Sequence, residues 1–304
     1  MATVSTSSLA GPAINQFEVK DLQSEAGAFE FQSQNAVSTG QPARRASRNA
    51  SGELVYDENS VARQREALEI QVGITDYFRV RVGIEYEQQR LDEPGIFEDS
   101  NAFGDLQLDE LALEGVLVIV KPSPEGVGLG LLVEYGAPLS GEREDQSEVF
   151  VGPIIEAHTG PWSLIANLAF VRHMGGEAND GDDDYVRDEK WDFAYFLQGQ
   201  YEVSDAWALA LEAYGTFDRI GDSGTRSEAA ELFGDFDQHR AGPVVYYTLK
   251  ACDRSRAGPP ASKLFEDNEK SEKDVEVSIG AGALFGLNEN TPDTTYKLSI
   301  EVEF

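Results

Sequence analysis

The chain is poor in sulfur, histidine and positive charge, and each shortage excludes a class of function. Cys252 is the single cysteine, so an intrachain disulfide, a thiolate-rich metal site and a redox pair are all ruled out. The only methionines are Met1 and Met174, which leaves no soft-ligand cluster. His158, His173 and His239 show no recognisable catalytic spacing, and no Gly-x-Ser-x-Gly elbow occurs. Lys and Arg number 24 against 55 Asp and Glu, a formal charge of −31. Nucleic-acid binding needs clustered cations, so that balance argues against it. No window carries the roughly 18 apolar residues of a membrane helix. The opening stretch, residues 1–16, has neither a cationic start nor an apolar run, so no signal peptide is expected in it.

What is present is alternation. Phe78, Val80, Val82, Ile84 and Tyr86 alternate with Arg79, Arg81, Gly83, Glu85 and Glu87. Tyr296, Leu298, Ile300, Val302 and Phe304 alternate with Lys297, Ser299, Glu301 and Glu303. A period of two is the side-chain repeat of a β-strand. Such runs predict strands at 26–38, 62–74, 77–90, 104–120, 127–138, 147–158, 161–173, 190–203, 206–219, 238–250, 273–286 and 294–304. Their lengths suit a tilted bilayer crossing of about 9–11 residues. In the fourth run Leu106 and Leu108 are out of phase with Leu111 and Leu113, which predicts a β-bulge near Asp109 and Glu110.

The connections alternate too. Short turns at 74–77, 121–126, 158–161 and 203–206 alternate with longer polar loops at 39–61, 91–103, 174–189 and 220–237. That sorting predicts an all-β fold, a twelve-stranded antiparallel up-and-down transmembrane barrel over 26–304. Residues 1–25 are left as an N-terminal periplasmic segment, and 251–272 is an unusually long connection on the short-turn side. A soluble β-sandwich shares the alternation. Strand length and the placing of Trp162, Trp191 and Trp207 at strand ends, as an interfacial girdle, favour the membrane.

The terminal strand, Tyr296 to Phe304, resembles the C-terminal assembly signal of Gram-negative outer-membrane barrels. The phrase from Phe285 to Asp293 is similar to the closing hairpin of proteobacterial transporter barrels, including those of phenol-degradation pathways. The resemblance implies an outer-membrane channel or transporter, with the bilayer, lipopolysaccharide, the assembly machinery and a small solute as partners.

With apolar faces toward lipid, the expected cation path in the lumen is Glu30, Glu69, Glu85, Glu87, Glu134, Glu156, Glu212, Glu276 and Glu301, with Arg79, Arg81 and Lys297 as counter-charges. Acidic linings favour cations, so passive passage of a small solute through an acidic lumen is the leading functional expectation. A closed structural or adhesion barrel plugged by Arg-Glu pairs is one alternative. A hydrolase with a rim active site near His173 and His239 is the other. No catalytic residue and no cofactor is assigned. Asp180, Asp182 and Asp184 imitate the start of a calcium loop. Tyr185 stands where that loop requires Gly, so at most a loosely held divalent cation is expected there.

Overall fold

A computed structural model describes residues 17–40, 47–48, 54–55, 60–91, 105–139, 147–174, 190–218, 220–223, 237–251, 275–288 and 290–304. Twelve strands close into one antiparallel barrel. They are β1 (Phe29–Thr39), β2 (Ser60–Thr75), β3 (Phe78–Leu91), β4 (Gln107–Val120), β5 (Glu125–Pro138) and β6 (Ser147–Thr159). β7 (Trp162–Met174), β8 (Trp191–Ser204), β9 (Trp207–Phe217), β10 (Gln238–Ala251), β11 (Val275–Gly286) and β12 (Thr294–Glu303) complete the ring. Each strand pairs with its sequence neighbour, and β1 closes on β12 through pairs such as Glu30 with Glu303 and Asn35 with Leu298. Closure leaves no unpaired edge, which a strand structure in hydrocarbon requires.

The alternation decides what faces where. In β9, Ala208, Ala210, Glu212 and Tyr214 are buried, while Leu209 and Leu211 are 51% and 64% exposed. Leu113, Ile119, Val127, Leu164 and Phe170 are likewise exposed on the outside of the wall. A soluble protein rarely shows so much contiguous apolar surface; a barrel in lipid requires it. No helix among the described residues is long and apolar enough to cross a membrane.

The bulge expected in the fourth run is present. Glu85 pairs with Glu110 and Tyr86 with Leu108, so Asp109 is the extra residue. It absorbs the phase slip and keeps Leu108, Leu111 and Leu113 on the outer face. The turns after β2, β4, β6 and β8 are short and lie on one rim, with residue 304, while the opposite rim carries the longer connections. Residues 252–274, most of the odd long connection, lie outside the described residues. Trp162 packs against Tyr201 at 4.8 Å and Trp207 against Tyr247 at 4.5 Å on the short-turn rim. Trp191 sits at the other rim, with the Arg172 guanidinium 5.2 Å from its ring centre. Phe304 packs on Phe29 across the closing seam, ring centres 5.9 Å apart, and its N–H donates to the Phe29 carbonyl at 2.9 Å.

Candidate functional site

The lumen is occupied. Residues 17–28, which the sequence reading places in a periplasmic segment up to residue 25, run along the inner wall before β1 begins. Phe17, Glu18, Lys20 and Leu22 of this strap are all buried. Residues that stay outside the strand ladder still need partners for their backbone groups, and lumen side chains supply them. Lys20 N–H donates to Asn167 Oδ1 at 2.7 Å, and Asn167 Nδ2 donates back to the Lys20 carbonyl at 2.7 Å. Leu22 N–H donates to Glu156 Oε2 at 2.7 Å. Arg79 donates to the carbonyls of Asp21 and Gln23 at 2.9 and 2.7 Å.

Two apolar anchors fix the strap's height. Phe17 meets Tyr214 edge-on at 5.4 Å, beneath the Arg240 guanidinium at 4.6 Å. Leu22 fills a hollow lined by Val116, Val118, Leu132, Ile154 and Ile165. Gly128 and Gly130 make that hollow, since a Cβ on either would come within 2.8 and 2.4 Å of the Leu22 methyls. The strap leaves the lumen through a turn at Gly27, whose φ of +79° suits glycine.

Charge fixes its side chains. The Lys20 ammonium contacts Glu18 and lies 2.8 Å from Glu114 and 3.8 Å from Glu69. Arg81 reaches Glu18 at 2.7 Å, Glu69 at 3.2 Å and Gln71 at 2.9 Å. Arg79 pairs with Asp21 at 2.7 Å. Buried ion pairs offset their desolvation only when well surrounded by partners, and this network supplies several per ion.

Two further clusters brace the wall. Glu212 accepts from Lys297 at 2.7 Å, Tyr214 at 2.5 Å and Gln198 at 2.9 Å, and also from Tyr246. At the long-loop rim, His173 lies between Asp192 at 2.9 Å and Glu148 at 3.0 Å. Lys190 joins Asp192 at 2.9 Å and also contacts Asp218. Burial works to lower the Lys190 ammonium, but Asp192 and Asp218 outweigh it and hold the group above its ordinary range.

Glu69, Glu85, Glu87, Glu156 and Glu212 are buried on the inner face, and Glu30, Glu134, Glu276 and Glu301 are half-buried there. Of the counter-charges, Arg79 and Arg81 hold the strap, whereas Lys297 serves the Glu212 cluster. Asp180, Asp182 and Asp184 lie outside the described residues. The two rim histidines are not brought together. His173 faces the lumen, while His239 packs on the outer face against Tyr195 and Phe217.

Sequence reading missed Glu18, Lys20 and Asp21, although Phe17 to Lys20 carries a short alternation of its own. It also missed Glu114, which the even phase after the bulge would have placed inside. One sector of the lumen is apolar, where Val116, Leu132, Ile154 and Ile165 point inward to meet Leu22.

No family profile matches the chain, and no curated protein matches it. Among solved structures, the COG4313 outer membrane channel from Pseudomonas putida F1 superposes with a TM-score of 0.53 at 16% identity, covering 97% of this chain and 99% of that one. CdiB from Escherichia coli gives 0.42 at 13%, covering 90% of this chain and 63% of the other. The outer membrane channel DcaP of Acinetobacter baumannii gives 0.34 at 12%, covering 97% and 100%. The first likeness establishes the fold: a twelve-stranded barrel built like a Gram-negative outer-membrane channel.

Proposed function

We propose that this chain is an outer-membrane channel of a Gram-negative bacterium, passing small solutes down their gradient through a lumen narrowed by the strap at residues 17–28. The observation that carries the reading is the contrast between the two faces of the wall. The outside is apolar and exposed, and the inside is lined with carboxylates, amides and the strap. A barrel serving only as an anchor has no need of a charged interior fitted around a segment of its own chain.

Cation preference is supported by the excess of carboxylates over cations on the inner face, although Arg240 there has no carboxylate partner among the described residues. Lys20, Arg79, Arg81 and Lys297 are each engaged by carboxylates. Glu110 and Glu134, on adjoining strands, have no cation within ion-pair distance among the described residues. Carboxylates that stay ionised in a low-dielectric tube raise the local cation concentration.

Planar bilayers test both parts. The expected record is small, stable current steps whose reversal potential in a salt gradient reports cation preference. Anion preference would overturn the charge argument and leave the channel standing. Absence of current from well-folded protein would favour the plugged structural barrel, for which the ion network around the strap is the supporting observation.

A further inference from the structure

Residues 17–23 cross the lumen without joining a strand: among the described residues, no backbone bond ties them to the ladder of the barrel. Wall side chains read their main chain instead. Tyr214 donates to the Phe17 carbonyl at 3.1 Å. Asn167 takes both backbone groups of Lys20, each at 2.7 Å. Glu156 accepts the Leu22 N–H at 2.7 Å. Arg79 donates to the carbonyls of Asp21 and Gln23 with the two ends of one guanidinium.

None of these bonds depends on which side chains the strap carries. The four readers are buried and stand on β9, β7, β6 and β3 of the closed wall. They are a preorganised set of donors and acceptors for any extended peptide laid along the same line. With the strap withdrawn, each would be a buried polar group short of a partner, which favours refilling the site. Selection among peptides comes from two further features. The hollow at Gly128 and Gly130 takes an aliphatic side chain, now that of Leu22. Two positions earlier, Glu114 and Glu69 of the wall face the ammonium of Lys20.

We propose that this inner wall is a binding site for short extended peptides that carry a basic residue two places before an aliphatic one, and that the strap is its resident occupant. This rests on the channel reading and names a solute class for it. An incoming peptide replaces the strap bond for bond, so the solute itself clears the path that the strap narrows. Tethered to β1 through the turn at Gly27, the strap competes at an effective concentration on the order of millimolar. Loosening the strap therefore exposes the site to a free peptide.

Fluorescence anisotropy on the full chain in detergent tests this with a fluorescein-labelled copy of residues 17–23, Phe-Glu-Val-Lys-Asp-Leu-Gln-amide. The Leu22→Ala protein, whose own strap no longer fills the hollow, is expected to bind the peptide at least about tenfold more tightly than the unaltered chain. For that variant, a peptide methylated on the backbone nitrogens of its Lys and Leu cannot donate to Asn167 and Glu156, and is expected to bind at least about tenfold more weakly. Peptides with Glu in place of Lys, or Ala in place of Leu, are expected to bind at least about fivefold more weakly. Equal binding by the methylated peptide overturns the main-chain reading, and equal binding by the two substituted peptides overturns the selection. Equal affinity of the two proteins puts the peptide outside the strap's site and overturns the proposal. So does an absence of binding to Leu22→Ala protein that migrates as folded. Conductance of the same protein without peptide is recorded in parallel, so a barrel that carries no current and a lumen that takes no peptide are separate results.

Discussion

Single residues in this molecule carry large consequences because the lumen is a confined place for charge. Glu212 is fully buried, and four donors converge on it. Glu212→Gln keeps the shape but leaves the Lys297 ammonium buried without its counter-ion. Breaking a buried pair from one side costs about 3–5 kcal/mol. The variant is expected to unfold at clearly lower guanidinium concentration, followed by loss of heat-modifiable migration in detergent. Little of this was legible residue by residue. Alternation placed Glu212 and Lys297 on inner faces, but no sequence rule says that Lys297 on β12 reaches across β11 and β10 to β9. Glycine at Gly280 makes the room: a Cβ there would come within 2.4 Å of Ser299 and 2.6 Å of Tyr246. Partners were illegible because they depend on barrel curvature, which pairs residues far apart in the chain.

At the scale of elements, the strands were readable and the strap was not. A strand buried on one side leaves a period of two over ten or more residues. The strap is held by side chains of many strands and leaves only the short phrase Phe17 to Leu22. The bulge in β4 is an element-scale device with its own test. Deleting Asp109 removes the extra residue while Leu108 still opposes Tyr86, so the barrel is expected to fold. Deleting Ala112, inside the regular ladder, turns every residue before it to the opposite face. That variant is expected to lose the folded, fast-migrating form on unheated gels, and equal behaviour of the two deletions would contradict the register. For the strap, Leu22→Ala empties the hollow at Gly128 and Gly130 and removes about 2–3 kcal/mol of anchoring. Its expected signature is faster protease cleavage within residues 17–28 in otherwise folded protein.

The whole molecule is a sorting of polarity, apolar outward and charged inward, which explains a net charge of −31 in a chain with a lipid-facing surface. Leu211, near the middle of β9 and 64% exposed, tests the outward half. Leu211→Arg is expected to cost about 2–4 kcal/mol in vesicles, as a cation at the bilayer midplane does. In detergent, where the head group snorkels easily, the cost is expected to be smaller. Equal cost in both would argue against a lipid-facing position. The inward half depends on the strap, because a lumen filled by its own chain conducts only what that chain lets past. Single-channel conductance in planar bilayers, compared between the full chain and a variant lacking residues 17–25, therefore reaches the central claim most directly. Removal of the strap is expected to raise the conductance several-fold while the current stays cation-preferring, since the wall carboxylates remain. An unchanged conductance would show that the strap does not stand in the path, and would contradict the account.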